Sequence, residues 1–515
     1  MKLGQLLKTL PVKRVENWAE QEIEAITADS RQVGPGTLFV AIPGLTVDGH
    51  RFVPQAAAQG AAAIVTNHFV EGCLCPQVIV RNTQEALPFL AARFYGDPTQ
   101  RMRMIGITGT KGKTTTSFLV DYLLNTQHRE TALVGTVQMR IGKRVVPSKM
   151  TTPDAVTLQR FFAEAAVAGV THVVMEVSSH ALVQRRVGGC SFDTAVFTNL
   201  SHDHLDFHKT LERYLDAKAM LFSQLGSSSV DSLKGRKVAI LNADDSASER
   251  ILESVSVPTV TYGITHPADI SANDLHLTPS GTRFVLGTPQ GRFDVSLPLV
   301  GMFNVYNTLA AVSVGLSEGL DLGNMINELG RFGGVPGRFE RIQMGQDFTV
   351  IVDYAHTPDS LRQVLETIRG FARGKIIVAF GCTGDRDRLK RPIMGEIAAR
   401  LAEYVIITSD DPHGEEPEAI AREVAAGVRA GGKGESDYDI IVDRHEAIVQ
   451  ALRRARPGDV VLIAGKGHEQ FQVYKDYAIP FVDQDVIRGE LSHMGWGRSA
   501  LRAEEPKGQS PKAKA

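Results

Sequence analysis

A glycine-rich loop set between a strand and a helix constrains this chain more than any other feature. Met104-Ile105-Gly106-Ile107 is a short apolar run of strand type. Thr108-Gly109-Thr110-Lys111-Gly112-Lys113-Thr114-Thr115 follows it, and Thr116 to Leu124 has helical spacing. Strand, glycine loop and helix in that order are the context of a phosphate-binding loop. Glycines let backbone N–H groups close around phosphate oxygens. The helix N-terminus adds a partial positive charge and Lys113 a full one. Thr114 offers a hydroxyl to a magnesium ion. Ile107 stands where the strict GxxxxGK[ST] pattern has its first glycine, so the stretch fits the shorter G-T-x-G-K-[ST] form. A glycine turn with surface lysines is the competing reading. It leaves unexplained why loop, lysine, threonine and flanking elements all agree.

A length of 515 residues allows about two to four domains. The 56 basic residues are balanced by 58 acidic ones, and aromatics are 7%, so neither basic grooves nor stacking platforms for nucleic acid are evident. Cys73, Cys75, Cys190 and Cys382 are too few and scattered for a disulfide framework, and structural thiols are expected rather than a metal site. No cleavable apolar segment opens the chain, and no run approaches the roughly 18 apolar residues of a membrane span. A cytoplasmic protein without membrane insertion is expected.

The pattern divides into three α/β blocks. Residues 1–100 hold short strands such as Leu38–Ile42 and Ala62–Val65 around an alanine-rich helix near Val53–Gln59, and Gly96-Asp97-Pro98 reads as a turn. Residues 101–335 begin with the phosphate loop. They alternate amphipathic stretches with apolar runs such as Val173-Val174-Met175, Ala195-Val196-Phe197 and Val238–Leu241, as a mostly parallel sheet requires. Within them, residues 267–297 read as an antiparallel insert. Gly333-Gly334-Val335-Pro336-Gly337 is a second linker candidate. Residues 336–501 alternate again as a second doubly wound α/β domain, with helices expected around 358–369 and 416–430. Residues 502–515 are polar and lack core residues, so a disordered tail is expected.

Three further clusters carry chemistry. Met175-Glu176-Val177-Ser178-Ser179-His180 follows a strand, and ligands in open α/β sheets sit at the carboxyl ends of strands. Glu176 is therefore placed to hold magnesium bound to ATP, although a capped helix start would also explain the serines. Thr198-Asn199-Leu200-Ser201-His202-Asp203-His204-Leu205-Asp206-Phe207-His208 packs three histidines and two aspartates into seven residues. Zinc is one reading, but no matching Cys or His pair follows at the usual spacing. A magnesium-linked histidine is the other, with some of these histidines only packing or capping. Tyr214 to Phe222 reads by spacing alone as an ordinary helix with an exposed lysine, Lys218.

Taken in order, these motifs resemble the Mur ligases. The resemblance is carried by Gly109–Thr114, Glu176–His180, Asn199–Asp206 and Ala217-Lys218. It continues through Gly301–Asn307, Pro336–Glu340, Asp353–Pro358, Gly381–Asp387 and Gly465-Lys466-Gly467-His468-Glu469. It spans roughly residues 25–485. Within the family the chain is most similar to the branch that adds the third peptide residue to UDP-N-acetylmuramoyl-L-alanyl-D-glutamate. Thr151-Thr152-Pro153 and the Ser178–Arg186 stretch carry that closer similarity.

The resemblance implies an N-terminal UDP-binding domain, a central ATPase and a C-terminal Rossmann-like domain. It implies that Ser30, Asp48, Gly49 and His50 meet the UDP end of the precursor. Thr151, Thr152, Ser178, Gln184 and Arg186 would hold the muramoyl-dipeptide. The family often has a polar residue before the two threonines, and here Met150 stands there. Gly109, Thr110, Lys111, Gly112, Lys113, Thr114 and Thr115 would cradle ATP. Asn304 and Asn307 would lie near adenine, and Arg338 and Asp353 would reach the nucleotide. Thr114 and Glu176 would bind one Mg2+ and His204 a second. Lys218 resembles the lysine carbamylated by CO2 in this family. A cationic lysine beside two magnesium ions would be repelled, whereas the carbamate is an anionic oxygen ligand. The implied reaction is ATP-dependent amide ligation through an acyl phosphate, by a monomer.

The added amino acid turns on one loop. Diaminopimelate-adding members usually carry Asp-Asn-Pro-Arg where this chain has Asp410-Asp411-Pro412-His413. A bidentate arginine is the strongest donor to the second carboxylate of diaminopimelate, and His413 is a weaker one. Asp411 would favour an ammonium. Arg386, Gly465 and Glu469 nevertheless resemble the residues that contact diaminopimelate. Meso-diaminopimelate is therefore the expected substrate, with L-lysine or another diamino acid as alternatives. A folylpolyglutamate-synthetase-like ligase would share the central fold but would not need the N-terminal block. A non-catalytic P-loop ATP-binding protein would not need Lys113, Glu176, His204 and Lys218 together.

Overall fold

The computed structural model describes residues 1–8, 10–44, 47–146, 150–227 and 235–497. The expected tail at 502–515 lies outside them. The chain divides into two compact units. The first comprises Met1–Leu275, Arg283–Ser296 and Phe303–Phe332; the second comprises His276–Thr282, Leu297–Met302 and the chain from Gly333 onward.

The first unit carries two sheets. The smaller runs in the order Val12–Glu16, Gln77–Val80, Ala63–Thr66, Thr37–Val40, Ala25–Thr27. Its strands are parallel apart from the antiparallel edge strand Val12–Glu16. Both faces are covered, which is why its strands read as continuous apolar runs. Leu38, Val40, Ala63 and Val65 pack against Ala86, Leu87 and Leu90 of helix Thr83–Phe94. Phe39 and Ile64 point the other way, onto Val53 and Ala56 of helix Val53–Ala58. Asn82 starts the longer helix, its side chain accepting from the N–H groups of Gln84 and Glu85. Gly96 and Asp97 both take left-handed backbone angles and turn the chain into the next strand.

The larger sheet has a parallel centre. Ile270–Thr278, Thr259–Gly263, Val238–Asn242, Thr194–Phe197, Arg103–Thr108, His172–Glu176 and Thr131–Val134 are neighbours in that order. Every adjacent pair among them is parallel. Met139–Ile141 and Arg144–Val146 extend one edge antiparallel. At the other edge, strand Ile270–Thr278, the first of the region expected as an antiparallel insert, pairs in register with Tyr262 and Gly263 and continues the same sheet. Buried Ile270 and Ala272 supply the apolar positions that hold it there.

The second unit is a six-stranded sheet in the order Glu340–Ile342, Thr349–Asp353, Val460–Ala464, Ile376–Phe380, Tyr404–Ile407, Tyr438–Ile440. Only its first strand is antiparallel. Helices Pro358–Arg369 and Pro417–Ala430 lie where expected. Thr357 and Ser360 form a capping box on the first. Helices Lys390–Leu401 and Pro417–Ala430 approach backbone to backbone: a Cβ on Gly427 would lie 1.9 Å from the Pro392 carbonyl oxygen. No described helix is long and apolar enough to cross a membrane.

Candidate functional site

Strand order brings three loops of the first unit together. Arg103–Thr108 lies between Thr194–Phe197 and His172–Glu176, all parallel, so their carboxyl ends are adjacent. The loops after them carry Gly109–Gly112, Thr198-Asn199 and Val177-Ser178. Gly112 has φ 85° and starts helix Lys113–Thr126. A Cβ on Gly109 would lie 1.8 Å from Thr198 Oγ1, and one on Gly112 2.4 Å from Asn307 Oδ1. Both glycines are therefore required by contact as well as by backbone angle.

Thr198 and Asn199 brace this loop, a role that spacing did not reveal. The Lys111 N–H donates to Asn199 Oδ1 at 2.9 Å, and Asn199 Nδ2 donates to the Lys111 carbonyl at 3.1 Å. Thr198 Oγ1 donates to the same carbonyl at 2.6 Å. The Thr110 N–H reaches the Asn199 carbonyl at 2.8 Å, and the Ser201 N–H reaches Thr110 Oγ1 at 3.0 Å. Lys113 Nζ donates to the carbonyls of Gly109 and Thr110, each at 2.9 Å, so its charge is held over the loop. Thr115 is buried in the first helical turn. Asn307 accepts from Thr116 Oγ1 at 3.3 Å and donates to Asn304 at 3.2 Å, which ties the Asn304–Asn307 turn to the same helix.

Glu176 is fully buried beside the loop. Its Oε2 accepts from Thr114 Oγ1 at 2.9 Å and Thr136 Oγ1 at 3.1 Å, and its Oε1 accepts from the Thr136 N–H at 2.8 Å. Thr136 Oγ1 lies 3.0 Å from Thr151 Oγ1. Thr152 Oγ1 donates to the Glu176 carbonyl at 2.8 Å and accepts from the Ser178 N–H at 3.0 Å. Thr114, Glu176, Thr151, Thr152 and Ser178 thus form one network, with Thr136 as a member that sequence reasoning missed. Thr136 lies two residues after strand Thr131–Val134, and only the pairing of that strand with His172–Glu176 sets it beside Glu176. Ser178 Oγ also caps helix Ser179–Val183.

The histidine cluster closes around an aromatic ring. His204 takes a left-handed backbone angle and its ring lies 4.8 Å from that of His180. His208 lies 4.8 Å from the Tyr214 ring and its Nε2 is 2.9 Å from Ser179 Oγ. Lys218 is not the exposed residue that helical spacing suggested: it is 1% exposed, with Nζ 4.0 Å from the Tyr214 ring centre. Burial, then the charge of Lys113, push its ammonium well below the ordinary lysine range. Burial, then His204, push His180 down to about 4. Burial also lowers His204, with Lys113 and Lys218 adding to it against Asp203. These side chains therefore favour neutral forms.

A cavity of about 1460 Å³ opens in the first unit between the smaller sheet and the Met150–Arg186 region. Ser30, Gly49, Met150, Gln184 and Arg186 all line it. Arg186 organises its inner end, donating to the Thr152 carbonyl at 2.7 Å and to Gln184 Oε1 at 2.6 Å. Asp48 and His50 stand differently. Asp48 caps the turn Gly49–Phe52, and buried His50 is held between Asp48 Oδ1 and the Asn67 N–H. These two shape the turn, and neither is among the residues that line the cavity.

In the second unit the remaining candidates gather at the carboxyl ends of its parallel strands. Asp410 and Asp411 follow strand Tyr404–Ile407 and are buried. Lys466, quoted in a motif but not singled out, is 1% exposed and donates to Asp411 Oδ1 at 2.8 Å and Glu469 Oε2 at 2.9 Å. Burial opposes its charge, but Asp410, Glu469 and Asp411 outweigh burial and hold its pKa above the ordinary lysine value. The Val473 N–H also donates to Asp411, at 3.0 Å. Pro412 leads into His413, which has φ 49° and pairs its N–H with the Val473 carbonyl. A Cβ on Gly465 would lie 2.5 Å from Asp410 Oδ2, so glycine there lets the two loops meet. Arg386 is exposed and has no hydrogen-bond or ion-pair partner among the described residues. Arg338 stacks 4.5 Å over the Tyr354 ring. Burial pushes Asp353 up to about 6 despite Arg338, and its Oδ2 accepts from the Phe339 N–H.

Comparison with known proteins gives three family matches in chain order. The Mur ligase family catalytic domain matches residues 22–95, the Mur ligase middle domain 107–315, and the Mur ligase glutamate ligase domain 337–467. The UDP-N-acetylmuramoyl-L-alanyl-D-glutamate--2,6-diaminopimelate ligase of Bacillus cereus is 48% identical over 96% of this chain and 99% of its own length. A solved structure of a ligase of that same name is 34% identical and covers 96% of this chain and all of its own, with a TM-score of 0.68. The MurF ligase of Thermotoga maritima in complex with ADP shares the fold at 20% identity, covering 93% of this chain and 98% of its own, with a TM-score of 0.59.

Proposed function

The chain belongs to the Mur ligase family, and from that premise we propose that it is the ATP-dependent ligase joining meso-diaminopimelate to UDP-N-acetylmuramoyl-L-alanyl-D-glutamate in peptidoglycan precursor synthesis. The observation that carries this reading is 48% identity over 96% of the chain to the Bacillus cereus ligase named for that reaction. We assign residues 1–100 to the UDP end of the precursor, 101–335 to ATP and 336–501 to the incoming amino acid. The N-terminal family match argues against a folylpolyglutamate-type ligase. Lys113 over the loop, Glu176 bonded to Thr114, His204 and buried Lys218 together argue against a P-loop protein without chemistry.

In this reading the N–H groups of Gly109–Thr115 and the Lys113 ammonium hold the phosphates. Thr114 and Glu176 present hydroxyl and carboxylate oxygens 2.9 Å apart, a hard donor set that fits magnesium, and His204 serves a second ion. Bound magnesium would supply positive charge against the phosphoryl oxygens. Lys218 fits carbamylation by CO2, because burial lowers the pKa of its amine and so favours the nucleophilic free-base form. Thr151, Thr152, Ser178, Gln184 and Arg186 orient the precursor so that its D-glutamyl γ-carboxylate attacks the γ-phosphorus of ATP, releasing ADP. Lys113 meets the charge developing on the transferred group. The amine of diaminopimelate then attacks the acyl carbon of the acyl phosphate. Phosphate leaves and an amide forms.

For the added residue, the structure of the loop removes one objection. The Asp411 carboxylate is engaged by the Val473 N–H and by Lys466, which it shares with Glu469, so it does not stand free toward a ligand. Arg386 and His413 remain as donors for that carboxylate. We further propose a monomer working in the cytoplasm. Competition between amino acids at equal concentration, with ATP and the UDP-dipeptide, tests the assignment. The expected result is a higher kcat/KM for meso-diaminopimelate than for L-lysine; the reverse order would overturn it.

A further inference from the structure

We propose that Thr136 is a positioning residue that couples the precursor side of the site to the phosphate loop, so that each ligand raises the affinity of the other through one hydroxyl. The inference rests on the reading above, in which Thr151 faces the precursor and Thr114 and Glu176 face the nucleotide.

The placement starts from register. Val134 pairs with Met175, so the two residues after strand Thr131–Val134 run alongside Glu176. Gly135 allows the approach, since a Cβ there would lie 2.4 Å from Glu176 Oε1. Thr136 then grips the carboxylate at both oxygens, by its N–H at 2.8 Å and its hydroxyl at 3.1 Å. Its hydroxyl is also 3.0 Å from Thr151 Oγ1.

A threonine hydroxyl has one proton to give, and a carboxylate only accepts. Thr136 Oγ1 is placed to donate both to Glu176 Oε2 and to Thr151 Oγ1, so its one proton is shared between the two acceptors. The Thr136 hydroxyl thereby links Thr151 to the carboxylate, whose Oε2 also takes the Thr114 proton at 2.9 Å. A precursor group that fixes the Thr151 hydroxyl also fixes Thr136 and the carboxylate orientation that Thr114 shares. Thr152 reinforces the link by holding the Glu176 backbone carbonyl. Coupling of this kind is reciprocal.

Isothermal titration of the full chain measures it: the affinity for MgADP with and without UDP-N-acetylmuramoyl-L-alanyl-D-glutamate. Precursor is expected to tighten MgADP binding by about fivefold or more in the unaltered protein. Thr136→Val keeps the N–H and the shape but loses the hydroxyl, and should bring that factor close to one. Thr136→Ser should restore it. Thr151→Val should lower the factor equally, and the double variant should lose nothing further. A Thr136→Val protein with undiminished coupling overturns the proposal, as does a factor of one in the unaltered protein. If Thr136→Val does not fold, undiminished coupling in Thr151→Val overturns it instead. Failure of the unaltered protein to bind either ligand would strike the functional reading itself, which separates the two failures.

Discussion

At the scale of single residues, the site depends on atoms that leave no room for alternatives. Gly109 combines φ 147° with a neighbour that a Cβ would meet at 1.8 Å. Alanine there should displace Thr198 and the braces it gives Lys111. We expect Gly109→Ala to weaken MgADP binding about tenfold or more while the protein stays folded; unchanged affinity by titration would contradict the loop geometry. Lys218 poses the opposite case, an amine buried against Tyr214 with its charge disfavoured. Lys218→Ala should be nearly inactive, and acetate or formate should partly restore turnover by supplying the missing carboxylate. An active enzyme whose intact mass shows only free lysine would count against carbamylation.

At the scale of elements, strand order assembles the site and buried ion pairs tie the strands to their helices. Glu318, just past helix Met302–Ser317, receives two bonds from Arg103 at 2.8 Å and one from Thr194 at 2.9 Å, with His172 at 3.7 Å. Burial would raise its carboxyl, but His172, Arg103 and Thr194 together hold it down at about 2, against an ordinary 4.5. A depressed carboxylate contributes stability that is full above its unfolded pKa and is lost as pH falls through the folded one. The shift corresponds to about 3 kcal/mol at neutral pH. Glu318→Gln should therefore be less stable than the unaltered protein at pH 7, by roughly that amount. The gap should narrow below about pH 4.5. Denaturant unfolding at pH 7 and pH 3.5 checks it, and an equal gap at both would refute the linkage.

At the scale of the whole molecule, the first unit places a large cavity between the smaller sheet and the Met150–Arg186 region. Arg186 sits at the junction, bonded to Gln184 and Thr152, and Thr152 in turn holds Glu176. Replacing it should be felt by one ligand before the other. For Arg186→Ala we expect the precursor KM to rise about tenfold or more, with the ATP KM within about twofold of the unaltered value. Steady-state kinetics with each substrate varied in turn would show it; a matched rise in both would mean that Arg186 acts through the network rather than on the precursor.

Order along the chain was enough to announce the phosphate loop, the α/β alternation and the carboxylate after strand His172–Glu176. These are local signals, written in glycine spacing and in apolar runs four or five residues long. Adjacency across the sheet was not written there. Nothing in the sequence near Thr136 or Asn199 says that one will hold Glu176 and the other Lys111, because those contacts depend on which strands become neighbours. Burial was equally illegible at Lys218, where helical spacing pointed to solvent and packing against Tyr214 gave the interior. The same holds for Asp411, whose charge looked available to a ligand until the fold brought Lys466 to it from 55 residues away. Local pattern names the chemical groups, but a group's charge, partners and reach follow from what long-range pairing sets beside it.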